Sequence, residues 1–118
     1  MDDGLYVLFN DNNDYYVAYC MFDTINETGW TVLMQRSHED KELSFDMSWR
    51  QFKEGFGNLG SAGSFWLGNE HMSQLTLNSD MMLRVELVDS TGTFVYAEVS
   101  WLTIFNGQSE ARYKQVDG

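Results

Sequence analysis

The sequence predicts an α+β domain built on a mainly antiparallel sheet. Three observations lead there. Runs of β-branched and aromatic residues, separated by clusters of Asn, Asp, Ser and Gly, lie toward both ends of the chain. Two short segments with helix-start signals sit between them. The 118 residues contain no repeat, low-complexity tract or linker, and the length suits one domain with one modest core. Strands, then helices, then strands is an α+β order rather than a βαβ alternation.

The elements follow in order. "LYVLF" (5–9) and "YYVAYC" (15–20) read as two strands joined by the turn formers of "NDNND", a hairpin with a longer loop. "WTVLMQR" (30–36) reads as a third strand and "SHEDKELS" (37–44) as a charged loop. Ser48 opens a short helix in capping-box form, with Gln51 three residues on. Trp49, Phe52 and Phe56 fall on one apolar stripe, and Gly55 and Gly57 end the helix. "SFWLG" reads as a short buried segment. Asn69 is the expected N-cap of a second helix, with Glu70 in its first turn and Met72 and Leu75 toward the core. "MMLRVELVD" (81–89) alternates, placing Leu83, Val85 and Leu87 on one face; "DSTG" turns and "TFVYAEVSW" (93–101) returns. "LTIF" (102–105) extends that strand or bends away, and "ARYKQV" (111–116) reads as a last edge strand.

Charge and composition exclude several function classes. The net charge is −11, and the seven basic residues are scattered, so nucleic acid and anionic membranes are repelled. No apolar run approaches membrane-spanning length. The acidic start "MDDGLYVLFNDNN" is no signal peptide. Cys20 is the only cysteine and cannot form a disulfide within this chain.

The motifs that suggest chemistry weaken on inspection. "GFGNLG" (Gly55 to Gly60) matches G-x-G-x-x-G, and Asp80 lies where a ribose-binding acid would be wanted. A dinucleotide turn needs a strand before it and a helix after it. Here a helix precedes it and "SAGS" follows, so the glycines read as positions of positive φ and close packing. Asn10, Asn12 and Asp14 alternate like an EF-hand start, but Tyr15 and Met21 stand where glycine and glutamate are required. His38 and His71 lack a His or Cys partner at ligand spacing. No nucleophile motif or distinctive carboxylate pair appears. Trp30, Trp49, Phe65, Trp66 and Trp101 read mostly as core rather than as a sugar-stacking surface. Asn26-Glu27-Thr28 is an acceptor tripeptide for N-glycosylation, relevant to a secreted chain.

The order of segments is itself informative. "GLYVL", "YYVAYC", "GWTVLMQR", "FDMSWRQFKEGFGNL", "FWLGNEHMSQLT", "LRVELVD" and "YAEVSW" together resemble the fibrinogen C-terminal (fibrinogen-related) domain. The block from Trp49 to His71 is the most specific, and Trp30, Trp49, Gly55, Gly57, Trp66, Gly68 and Asn69 are its signature positions. The likeness covers residues 4–118 and the first half of that domain.

The resemblance implies a non-enzymatic, secreted or cell-surface recognition module like those of fibrinogen, ficolins, tachylectins, angiopoietins and tenascins. Such modules bind acetylated sugars, proteins or receptors, in innate defence or in the extracellular matrix, and often form oligomers through an upstream region. The implied fold is α+β, with a central antiparallel sheet and two short helices. By the same resemblance, Cys20 is the second cysteine of the family's first disulfide, with its partner upstream of Met1. Residues 1–118 would then be a partial domain, with the calcium site, second disulfide and ligand pocket expected beyond Gly118. No metal or ligand residue is carried over, no cofactor is expected within the chain, and glycans or protein receptors would be bound through the other half. "SHEDKELS" departs from the family in lacking an Asp-Gly turn. The competing expectation is a free-standing protein-interaction or assembly piece without lectin activity, exposing apolar surface where a second half would pack.

Overall fold

The computed structural model of the protein describes residues 2–10, 13–77 and 81–100. Among these residues, three antiparallel sheets and two α-helices make up an α+β architecture. Strands β1 (Gly4–Phe9), β2 (Tyr15–Asp23) and β3 (Thr28–Thr31) form the first sheet in that order. The register pairs Tyr6 with Ala18 and Leu8 with Tyr16, so these four side chains share a face. That face is the core. Tyr16, Ala18 and Cys20 are buried with Leu67 and Met72, and Tyr6, Leu8, Leu33, Trp66 and Leu75 pack against them.

The stretch expected as one strand over 30–36 is two. After β3 the chain leaves the first sheet and enters a second as β4 (Met34–Gln35). The Val32 N–H still donates to the Tyr19 carbonyl at 2.9 Å, whereas the Leu33 carbonyl accepts from the Leu67 N–H at 2.8 Å. Two adjacent residues thus serve two sheets, and no single strand can satisfy both. The second sheet runs β4–β6–β5, with β6 (Phe65–Trp66) between β4 and β5 (Phe56–Gly57). Phe65 is fully buried there.

Helix α1 (Trp49–Glu54) carries the expected capping box: Ser48 Oγ accepts from the Gln51 N–H and Gln51 Oε1 accepts from the Ser48 N–H. Gly55 ends the helix at φ 99°. The apolar stripe is shorter than expected. Phe56 belongs to β5, and Trp49 is 68% exposed with Lys53 Nζ over its ring. Phe52 instead meets Phe56 and Trp66 edge-on, with centroids 5.1 and 5.4 Å away.

Helix α2 (Asn69–Leu77) lays Met72 and Leu75 on the first sheet, as the sequence predicts. Its N-cap is Gly68 rather than Asn69, because the Gly68 carbonyl accepts the first helical bond from the Met72 N–H at 3.0 Å. Asn69 lies inside the helix and turns its side chain toward Trp66.

Strands β7 (Met82–Val88) and β8 (Phe94–Ser100) form a separate hairpin. Its turn is held by Asp89, whose Oδ1 accepts from the Thr91 and Thr93 N–H groups at 2.8 and 2.9 Å. Asp11, Asn12, Asp80, Trp101 and the segments 102–105 and 111–116 lie outside the described residues. So does Gly118, the position past which the ligand-binding residues are expected, and the structure therefore assigns none of them. No helix among the described residues is long and apolar enough to cross a membrane.

Candidate interaction surface

The glycine-rich stretch is structural. Helix α1 precedes it, β5 lies within it and a turn follows, so the strand-before, helix-after order of a dinucleotide turn is absent. Gly57 lies at φ 100°, and a Cβ there would run into the Ser64 carbonyl and Phe65 Cα. Gly55 is closed in the same way by the backbone of Leu67. These contacts seat the α1 end against β6, the central strand of the second sheet.

The charged loop 37–44 has a role that its composition hides. A 3-10 turn, His38–Asp40, presents the Asp40 carboxylate to the Asn58 side chain at 3.0 Å and the Ser64 N–H at 2.7 Å. Those hydrogen bonds hold the Asp40 pKa below the ordinary carboxylate value. From β4, the Gln35 amide donates to the carbonyls of Gly60, Ser61 and Gly63. Loop 58–64 is therefore fixed from both sides by residues at least 18 positions away.

The signature residues do not converge on a site. Trp30 is half-buried and Trp49 exposed. Trp66 Nε1 donates to the Phe52 carbonyl at 3.1 Å and to Asn69 Oδ1 at 2.9 Å, joining the two helices through the second sheet. Gly68 is buried, and a Cβ there would press on the backbone of Glu54 and Gly55. Cys20 is a buried free thiol in the middle of β2, and burial raises its pKa. Asn26 stands exposed in the β2–β3 turn. His71 stacks on Tyr16 at 4.2 Å beside a cleft of about 240 Å³ that Asn10, Asp14, Glu70 and Gln74 also line. Burial lowers the His71 pKa, against an opposing pull from Glu70. No group of three His, Cys, Asp or Glu side chains that could hold a metal ion occurs among the described residues.

What the structure does present is apolar sheet surface. In the β7–β8 hairpin, Leu83 pairs with Val99, Val85 with Ala97, and Leu87 with Val95. All six share one face, and Leu87 is 62% exposed. The opposite face is polar at its centre: Arg84 pairs with Glu86 and Glu98 at 2.9 and 2.6 Å and lies 3.9 Å over the Tyr96 ring. The sequence alternation thus places Leu83, Val85 and Leu87 together, as expected.

The second surface is one the alternation rule misses. The face of β1 and β2 turned away from the core carries Leu5, Val7, Phe9, Tyr15 and Val17, all exposed, with Phe9 at 70%. The signal was present. "LYVLF" and "YYVAY" are apolar at every position, the pattern of strands that are covered on both faces. Two apolar sheet faces with solvent access are what a binding or assembly surface looks like physically.

Comparison with known proteins places this architecture. The family model for the C-terminal globular domain of fibrinogen beta and gamma chains matches residues 2–117. Angiopoietin-1 of Rattus norvegicus is 37% identical over 110 residues, which is 92% of this chain and 21% of that protein. Fibrinogen-like protein A of Apostichopus parvimensis is 37% identical over 107 residues, 91% of this chain and 36% of that protein. A lamprey fibrin D-dimer, solved with the peptide ligand Gly-His-Arg-Pro-amide, matches with a TM-score of 0.84 at 31% identity, covering 93% of this chain and 34% of that one. The chain therefore spans 21% and 36% of the length of these two curated relatives.

Proposed function

This chain belongs to the fibrinogen C-terminal globular domain family, whose members are non-enzymatic binding modules, and from that premise we propose that it is part of an extracellular module for recognising proteins. One observation carries the reading: the solved relative that shares its fold over 93% of this chain was captured with a peptide ligand. The two exposed apolar sheet faces support it, because protein partners are recognised through surfaces of that kind.

The pocket for a small ligand, whether a peptide terminus or an acetylated sugar, belongs in this reading to the part of the domain beyond Gly118. A calcium ion would be held there too. In support, this chain corresponds to 34% of the solved relative's chain. On a glycan array and in calorimetric titration with Gly-His-Arg-Pro-amide, both with calcium, the 118 residues should give no binding. Calcium-dependent binding of either ligand would overturn that assignment.

A second reading has its own observation. The six-residue apolar face of the β7–β8 hairpin would make this chain an assembly piece that pairs with a second copy or with another half domain. Sedimentation behaviour separates it from a monomeric recognition fragment.

A further inference from the structure

We propose that Asn26 is an N-glycosylation site, carrying one N-linked oligosaccharide at the tip of the β2–β3 hairpin; the inference rests on the extracellular reading above. Asn26-Glu27-Thr28 is the single Asn-x-Ser/Thr tripeptide in the 118 residues. Such tripeptides arise by chance, so the placement of this one decides whether it can hold a glycan.

The placement suits the modification. Asp23 and Thr28 close the hairpin as its last cross-strand pair, and Asn26 lies in the four residues between them. The turn is exposed, with Ile25 beside Asn26 90% accessible, and none of its four residues belongs to the core cluster of Tyr16, Ala18, Cys20, Leu67 and Met72. Its shape does not depend on both Asn26 amide hydrogens. The Asp23 carboxylate accepts from the Ile25 and Asn26 backbone N–H groups at 3.0 and 3.2 Å, and from Asn26 Nδ2 at 2.8 Å. Thr28 Oγ1 donates to the Asn26 carbonyl at 3.1 Å. One Nδ2 hydrogen is thereby used, and no described residue accepts from the other.

The transfer itself is a substitution at the sugar C1. A lipid-linked oligosaccharyl pyrophosphate is the donor. The bond between its sugar C1 and the pyrophosphate oxygen breaks, and the lipid pyrophosphate leaves. Asn26 Nδ2 bonds to C1 and loses one proton to a base of the transferase. One N–H remains on Nδ2, and the backbone N–H bonds of Ile25 and Asn26 to the Asp23 carboxylate do not involve the glycosylated nitrogen.

The test is translation of the whole 118-residue chain, fused to a cleavable signal sequence, with microsomes competent for glycosylation. Expected is one endoglycosidase-sensitive upward mobility shift in the protease-protected product. Asn26→Gln and Thr28→Ala should abolish the shift, and Thr28→Ser should retain it. A protected but unshifted wild-type product, or a shift that persists in Asn26→Gln, would overturn the site. Because the fused signal imposes translocation, a negative result bears on Asn26 alone. Whether the natural protein is secreted is read separately, from where it is found in its own cells.

Discussion

Gly57 shows how much a single missing Cβ can decide. Its φ of 100° is disfavoured for any residue with a side chain, and the space a Cβ would need is filled by the Ser64 carbonyl and Phe65 Cα. Gly57→Val should cost about 3 kcal/mol or more, a large share of a domain stability of order 5–15 kcal/mol. A urea midpoint equal to wild type would refute this. His71 gives a pH signature. Burial against Tyr16 favours its neutral form, so its folded pKa lies below its unfolded value of about 6.5. The associated stability is complete above that unfolded value and is lost as pH falls through the folded pKa. Melting temperature should therefore drop as pH falls below about 6.5, and His71→Phe should flatten the slope. Equal slopes in the two proteins would show that another group titrates. The glycine requirement was legible in "GFGNLG", because helix signals before it excluded a phosphate turn. The partner of His71 was not, since Tyr16 lies 55 positions earlier in the chain.

Elements were legible where their determinants are local. The α1 capping box needs only Ser48 and Gln51, and both of its hydrogen bonds form, at 3.2 and 3.0 Å. Ser48→Ala should cost about 1 kcal/mol, and Ser48→Asp should restore most of it. If chemical denaturation shows no loss for Ser48→Ala, then the packing of Phe52 alone holds the helix. Asn69 is the instructive contrast. It has the residue type and position of an N-cap, but its oxygen accepts from the Trp66 indole, and Gly68 takes the cap. Local propensity gave way to a tertiary partner. The same happened over residues 30–36, where β-propensity is continuous but the hydrogen bonds of Val32 and Leu33 go to different sheets. Loop 37–44 looked like a solvated charge run, and only its fold shows Asp40 bound to Asn58 and Ser64.

At the scale of the whole molecule, two opposed properties meet. Apolar faces on β1–β2 and β7–β8 favour association, while a net charge of −11 opposes it. Salt screens the charge without weakening apolar burial. Sedimentation velocity should therefore show self-association that grows with protein concentration and with salt. Leu87→Lys combined with Val95→Glu, which places opposite charges on a direct cross-strand pair, should suppress it while shifting stability by no more than about 0.5 kcal/mol. A wild-type chain that stays monomeric throughout would remove the assembly reading and leave the recognition reading standing. The sequence by itself determined the α+β class, the two helices, the β1–β2 and β7–β8 hairpins, the glycine requirement at Gly55 and Gly57, and the family. Each of these rests on residues within a few positions of one another, or on their order along the chain. Only the tertiary structure decided which face of β1–β2 is core, where Asn69 and Asp40 spend their hydrogen bonds, and which apolar surface is left for a partner. Periodicity fixes that a strand has two faces, but which face is covered depends on what packs against it, and those neighbours come from distant parts of the chain.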